Sequence, residues 1–133
     1  MNYYNKGKWW LSPYNDFEEV RDRLEISHPV VIHDTTLRDG EQTPGVVFSK
    51  EEKVRIATLL DDLGVERIET GMPAVSQDDY LAVKEICKLN LKADTYVFVR
   101  AMRRDIDIAA EVGAKGVIIE IPIGYPKLKY QFK

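Results

Sequence analysis

His33-Asp34-Thr35-Thr36-Leu37-Arg38-Asp39-Gly40-Glu41-Gln42-Thr43-Pro44-Gly45 begins where the apolar run Val30-Val31-Ile32 stops and ends shortly before a helix start at Ser49. These thirteen positions hold three carboxylates, one guanidinium, one imidazole, three hydroxyls and two glycines. So many ionisable groups against a buried strand exceed what a chain reversal needs. Two readings stand side by side. In one, carboxylates hold a metal and Arg38 faces a developing oxyanion, as carbanion chemistry requires. In the other, the stretch is a polar strand-to-helix loop in which Arg38 pairs with a neighbouring acid.

Outward from this stretch, strands and helices alternate. Downstream, Ser49 and Glu52 form an S-x-x-E capping box. Val54, Ile56, Ala57, Leu60 and Leu63 supply a buried helical stripe that stops at Gly64. Val65 to Thr70 has strand character. Ser76 caps a further helix with Asp79 at the third position, carrying Tyr80, Val83, Ile86 and Cys87 on one face. Thr95 to Val99 is a strand, Asp105 is expected to cap a helix ending at Gly113, and Gly116 to Ile121 is an almost wholly apolar strand. Upstream, Asn15 to Glu25 reads as a short helix capped by Asn15, and Pro29 precedes a first buried strand over Val30–Ile32. Residues 1–14, rich in Tyr and Trp, show neither period.

Helices between short β-branched runs imply βαβ units and a parallel sheet. No G-x-G-x-x-G follows the first strand, which weakens the dinucleotide-binding open sheet. All four strands end in or carry polar groups: Asp34, Glu69, Arg100 and Glu120. In a (β/α)8 barrel, that is the rim where catalytic side chains gather.

Composition excludes several classes. The net charge is −3, with no basic stripe interleaved with aromatics, so nucleic acid is not an expected partner. No apolar run approaches the roughly 20 residues a membrane helix needs. Residues 1–14 lack a signal-peptide core. Cys87 is the one cysteine, expected to be a small buried hydrophobe on a helix. A cytoplasmic setting fits these features.

Asp34 to Gly45 resembles the N-terminal signature of the metal-dependent 2-isopropylmalate, homocitrate and citramalate synthases, within the TIM-barrel metallolyase superfamily. Ile68-Glu69-Thr70-Gly71-Met72-Pro73, continuing to Asp79, resembles the family's second-strand segment, and Arg100 with Asp105-Ile106-Asp107 its third-strand end. The resemblance covers roughly residues 30 to 133 and comprises three motifs in order. It implies an α/β fold, a parallel (β/α) TIM barrel of which this chain supplies about the first four strands. Residues 1–29 would form an arm and short helix, and residues 30–133 the first half of the barrel.

The implied activity is a metal-dependent Claisen condensation of acetyl-CoA, or a related acyl-CoA, with a 2-oxo acid, as in amino-acid biosynthesis. Asp39 would ligate a divalent metal (Zn, Mn or Mg). Arg38 would stabilise the alkoxide, Glu69 would orient Arg38 or a water, and Gln42 and Arg100 would contact substrate. Asp34 would hold the loop, while Gly40 and Gly45 would provide tight turns.

Two departures qualify this. The synthases carry a Ser/Thr-rich stretch after the fourth strand, where this chain has Pro122-Ile123-Gly124-Tyr125-Pro126. They also complete the metal site with an H-x-H pair, whereas His28 and His33 are the only histidines here. A barrel needs eight strands and about 250 residues, so the chain reads as a truncated piece or one part of a split enzyme. On its own it would be inactive. It would associate with the missing half or as a homo-oligomer. The alternatives are a lyase or aldolase of the same superfamily, and a non-catalytic half-barrel that needs a partner chain.

Overall fold

A computed structural model describes residues 4–10, 12–21 and 28–130 of the 133-residue chain. The chain divides into two compact units, Met1–Val30 and Val31–Lys133. In the first, strands β1 (Tyr4–Asn5) and β2 (Trp9–Trp10) pair antiparallel, and Lys8 N donates to Asn5 O across the turn at 2.8 Å. Two-residue strands are too short to show a period of two, which is why the sequence pattern misses them. A 3₁₀ turn over Pro13–Asp16 precedes α1 (Glu18–Arg21). Asn15 therefore lies inside a turn that Pro13 opens, and it does not cap the helix. The expected continuation over 22–25 lies outside the described residues.

The second unit is a four-stranded parallel sheet in the order β3 (His33–Asp34), β4 (Arg67–Glu69), β5 (Asp94–Arg100), β6 (Gly116–Glu120). Helices α2 (Lys50–Leu63), α3 (Gln77–Cys87) and α4 (Arg103–Val112) connect successive strands, and α5 (Tyr125–Tyr130) follows β6. Strand order follows chain order without the reversal that defines a doubly wound sheet. The helices also share one face. Ile68, Val97, Val99 and Val117 point toward them, packing with Ala57 of α2, Val83 and Ile86 of α3, and Ala109 and Val112 of α4. Sequential strands with helices on one side form an arc of a barrel.

Local chemistry accounts for the element boundaries. Ser49 Oγ accepts from Glu52 N and Glu52 Oε2 accepts from Ser49 N, so the capping box is complete. Ser76 Oγ accepts from Asp79 N in the same manner at α3. Helix α4 departs from expectation. Its N-cap is Met102, and Asp105 stands at the third helical position with its carboxylate occupied by Arg100. The first strand also departs. Pairing begins with Ile32 O accepting from Arg67 N, but the regular strand is His33–Asp34, and Val30, Val31 and Ile32 are exposed. Among the described residues, β3 is the edge strand, with a neighbour on one side only.

Alternation along the strands places His33, Arg67, Glu69, Tyr96, Phe98 and Arg100 on the face opposite the helices. Cross-strand packing agrees: the His33 and Tyr96 rings meet edge to face at 5.4 Å, and Arg67 lies over Tyr96. Tyr96 spreads across β6 where Gly116 carries no side chain. A Cβ at Gly116 would fall 2.3 Å from the ring.

Candidate active site

The Arg38 loop is built from its own backbone. Thr35 O accepts from Arg38 N, Asp39 N and Gly40 N at 3.1, 2.8 and 3.2 Å, winding the chain into a tight turn. Asp34 closes the turn from below, its carboxylate accepting from Thr36 N and Thr36 Oγ1. Leu37 is fully buried against α2, β4 and α3, which turns Arg38 toward the open face. Gly45 takes φ of +85°, as a tight turn requires, whereas Gly40 does not enter the left-handed region. Across from the loop, Gly71 has φ of +138° and a hypothetical Cβ 3.3 Å from Val83. A side chain there would be strained and crowded.

Arg38 and Glu69 form a forked pair, with Nε donating to Oε1 at 2.7 Å and Nη2 to Oε2 at 3.2 Å. Glu69 is 1% exposed. Nη1 of Arg38 donates to Asp39 Oδ1 at 2.8 Å, and the guanidinium carbon stands 4.9 Å from the Phe98 ring centroid. His33 Nε2 lies 3.6 Å from Glu69 Oε2, below the pair. The hydrogen bonds to Glu69, followed by the charges of Glu69 and Asp39, hold the Arg38 guanidinium above its already high ordinary pKa, against a partial burial that would lower it. Arg38 is therefore cationic throughout the working pH range.

Gln42 and Arg38 line one cavity of about 190 Å³ with Leu37, Gly71, Met72 and Val75. Gln42 Nε2 reaches Met72 Sδ at 3.8 Å. Arg100 is placed differently. It stands two residues beyond Phe98 on the same face, but its guanidinium folds onto Asp105, with Nε to Oδ2 at 2.8 Å and Nη2 to Oδ1 at 2.9 Å. Asp105 is 2% exposed. The structure thus brings Arg38, Asp39 and Glu69 into contact, sets Gln42 on the same cavity, and ties Arg100 to the helix that follows its strand.

Three residues of this site escape the sequence reading. Phe98 could have been found, since strand alternation sets it on Arg100's face. His33 sits on the same face as Glu69 by cross-strand register. Lys53 falls four residues before Ala57, on the buried stripe of α2, and a charged residue there is the available signal. Cys87, at the end of α3, has its thiol pushed up by burial, and Sγ lies 3.6 Å from Thr95 Oγ1, as suits a packing role.

The forked Arg100–Asp105 pair carries a pH signature. Hydrogen bonds from Arg100 hold the Asp105 carboxyl below the usual carboxylate range. Its stabilising effect is therefore complete above the ordinary value of about 3.9, and is lost as pH falls through the depressed folded value. Asp105→Asn is expected to lower Tm by a few degrees at pH 7. Thermal melts in acid should show that gap closing, and a gap constant from pH 7 to 3 would assign the loss to packing.

Comparison with known proteins gives the family. The HMGL-like family model matches residues 29–133, and the chain belongs to this TIM-barrel family. The homocitrate synthase AksA of Methanocaldococcus jannaschii is 42% identical over 99% of this chain and 31% of its own length. The 2-isopropylmalate synthase of the same organism is 46% identical over 87% of the chain and 22% of its own length. A putative (R)-citramalate synthase CimA of Archaeoglobus fulgidus is 52% identical over 70% of the chain and 19% of its own length. The chain spans less than a third of the length of these relatives. No helix among the described residues is long and apolar enough to cross a membrane.

Proposed function

We propose that this chain supplies the Arg38–Asp39 rim of an acyltransferase site that condenses acetyl-CoA, or a related acyl-CoA, with a 2-oxo acid. The observation that carries this reading is the Arg38 guanidinium, aimed by the buried Glu69 and flanked by the exposed carboxylate of Asp39. A guanidinium has five N–H donors, and Glu69 and Asp39 engage three of them. The two left over, one on each terminal nitrogen, are the donors available to an oxygen that gains negative charge. In the condensation a base takes a proton from the acyl methyl carbon, and that carbon bonds to the keto carbon as the C=O π bond opens. The keto oxygen becomes an alkoxide beside Arg38, and hydrolysis of the thioester then releases free CoA. Glu69 fixes the guanidinium beforehand, so little reorganisation is needed as charge develops.

Asp39 fits one ligand position for a divalent metal. Its Oδ1 accepts from Arg38 and its side chain is 63% exposed. Among the described residues, no group of three His, Cys, Asp or Glu side chains is placed to hold an ion. Such a metal would polarise the keto oxygen. Gln42, on the Arg38 cavity, is the candidate contact to the substrate carboxylate, and Arg100 becomes one only by leaving Asp105.

A chimera tests this reading. This chain would replace the matching segment of the homocitrate synthase AksA of M. jannaschii, and free CoA would be followed across a panel of 2-oxo acids. The expected result is condensation that Asp39→Ala reduces by at least about a hundredfold. A folded chimera inactive with every 2-oxo acid, or activity indifferent to Asp39→Ala, would count against the assignment.

A further inference from the structure

Lys53, the fourth residue of α2, is 4% exposed, and a lysine is rarely so buried. Its ammonium bridges two carboxylates from different elements, Glu41 Oε2 of the Arg38 loop at 2.7 Å and Asp79 Oδ1 of the first turn of α3 at 2.5 Å. Each carboxylate has a second task. Glu41 Oε1 accepts from Phe48 N at 3.0 Å, closing the Arg38 loop on itself. Asp79 Oδ2 accepts from Ser76 Oγ at 2.7 Å, fixing the start of α3. Glu41 and Asp79 also line the cavity onto which Arg38 opens. No other ion pair among the described residues joins the Arg38 loop to the first turn of α3 through a third element.

We propose that Lys53 is a positioning residue, the clamp by which α2 holds the loop bearing Arg38, Asp39 and Gln42 against the start of α3. The catalytic meaning of the clamp rests on the acyltransferase reading above, whereas its mechanical role does not. Arg38 projects from a short turn that, apart from its own fork to Glu69, is anchored by Leu37 behind it and Glu41 beyond it. Leu37 fixes depth, but a single apolar anchor leaves the turn free to rock about it. Glu41 on Lys53 supplies the second point, and Asp79 refers that point to the wall across the cavity. Burial alone would push the Lys53 ammonium down, but the bonds and charges of Asp79 and Glu41 more than offset this and hold it above an ordinary lysine. The clamp therefore keeps its charge at neutral pH. Losing Lys53 would leave two carboxylates facing each other at the cavity wall, and they would separate.

Amide hydrogen exchange on the purified chain tests this. In Lys53→Met, the amides of residues 40–48 are expected to exchange on the order of tenfold faster or more, while those of β5 and α4 keep their rates. The Arg38 Nε–H resonance should shift as its bond to Glu69 loosens. Lys53→Arg, which retains a donor for each carboxylate, should return both readouts most of the way. Val112→Ala, in the core under α4, supplies a comparable loss of Tm as a control and should move neither. Unchanged exchange over 40–48 in Lys53→Met would overturn the proposal, as would equal acceleration in Val112→Ala. In the active chimera, Lys53→Met should lower kcat more than it raises KM for the 2-oxo acid. A chimera inactive from the outset would remove the acyltransferase reading and leave the exchange result to decide the clamp.

Discussion

Arg38→Lys is expected to lower kcat of the condensing chimera about a hundredfold, equivalent to about 3 kcal/mol of barrier. Lysine keeps the charge but presents a compact donor on a flexible stem, so it cannot satisfy both Glu69 oxygens and still aim a second donor at substrate. The geometry adds a stability effect to the catalytic one. Arg38 pairs with a carboxylate that is 1% exposed, so Arg38→Met leaves a buried, unpaired charge. Breaking a buried pair by removing one partner costs about 3–5 kcal/mol, which in a chain of this size lowers Tm by roughly 10–15 °C. Arg38→Lys should retain most of that stability while losing the rate. Melts of the chain and kcat of the chimera, measured for both variants, separate the two roles. An active Arg38→Lys chimera with the melting loss of Arg38→Met would make Arg38 a structural partner of Glu69 alone.

Why Arg38 was legible, and Lys53 was not, follows from how each is placed. Arg38 lies in a run dense with ionisable groups at a strand end, where position and residue type point the same way. The helices over 50–63 and 77–87 were equally plain, since Ser49 and Ser76 each carry an acidic partner three residues on and an apolar stripe follows. Local signals of this kind fail where another group or the strand's position in the sheet competes. Asp105 has the composition of a helix cap, but Arg100 occupies its carboxylate and Met102 takes the cap. Val30–Ile32 has the composition of a buried strand, yet an edge position leaves it exposed. Lys53 sits among Glu51, Glu52 and Arg55, and only the convergence of Glu41 and Asp79 in space explains its burial. Pairings 26 or 31 residues apart, such as Lys53–Asp79 and Arg38–Glu69, leave no trace in a local period.

Leu37→Ala is expected to be nearly as damaging as Arg38→Met although it touches no charge. Leu37 is fully buried and packs in one cluster with Ala57, Ile68 and Ile86, where α2, β4 and α3 meet. Truncating such a leucine costs about 2–5 kcal/mol, the range reflecting how far the surroundings collapse into the space. Collapse is hindered here, because Thr35 O holds the backbone on either side through its three N–H bonds. The loss should lie toward the upper half of that range, or roughly 11–15 °C in Tm. Leu59, 56% exposed on α2, serves as the comparison, and its change to alanine should cost under about 0.5 kcal/mol. Leu37→Ala should also loosen the aim of Arg38, since the side chain behind the turn sets the depth from which the guanidinium reaches Glu69. Leu37→Met, close in volume, should recover most of the melting temperature. If Leu37→Ala melts with the wild-type chain, the loop is held by its polar bonds alone, and the core beneath Arg38 contributes nothing to placing it.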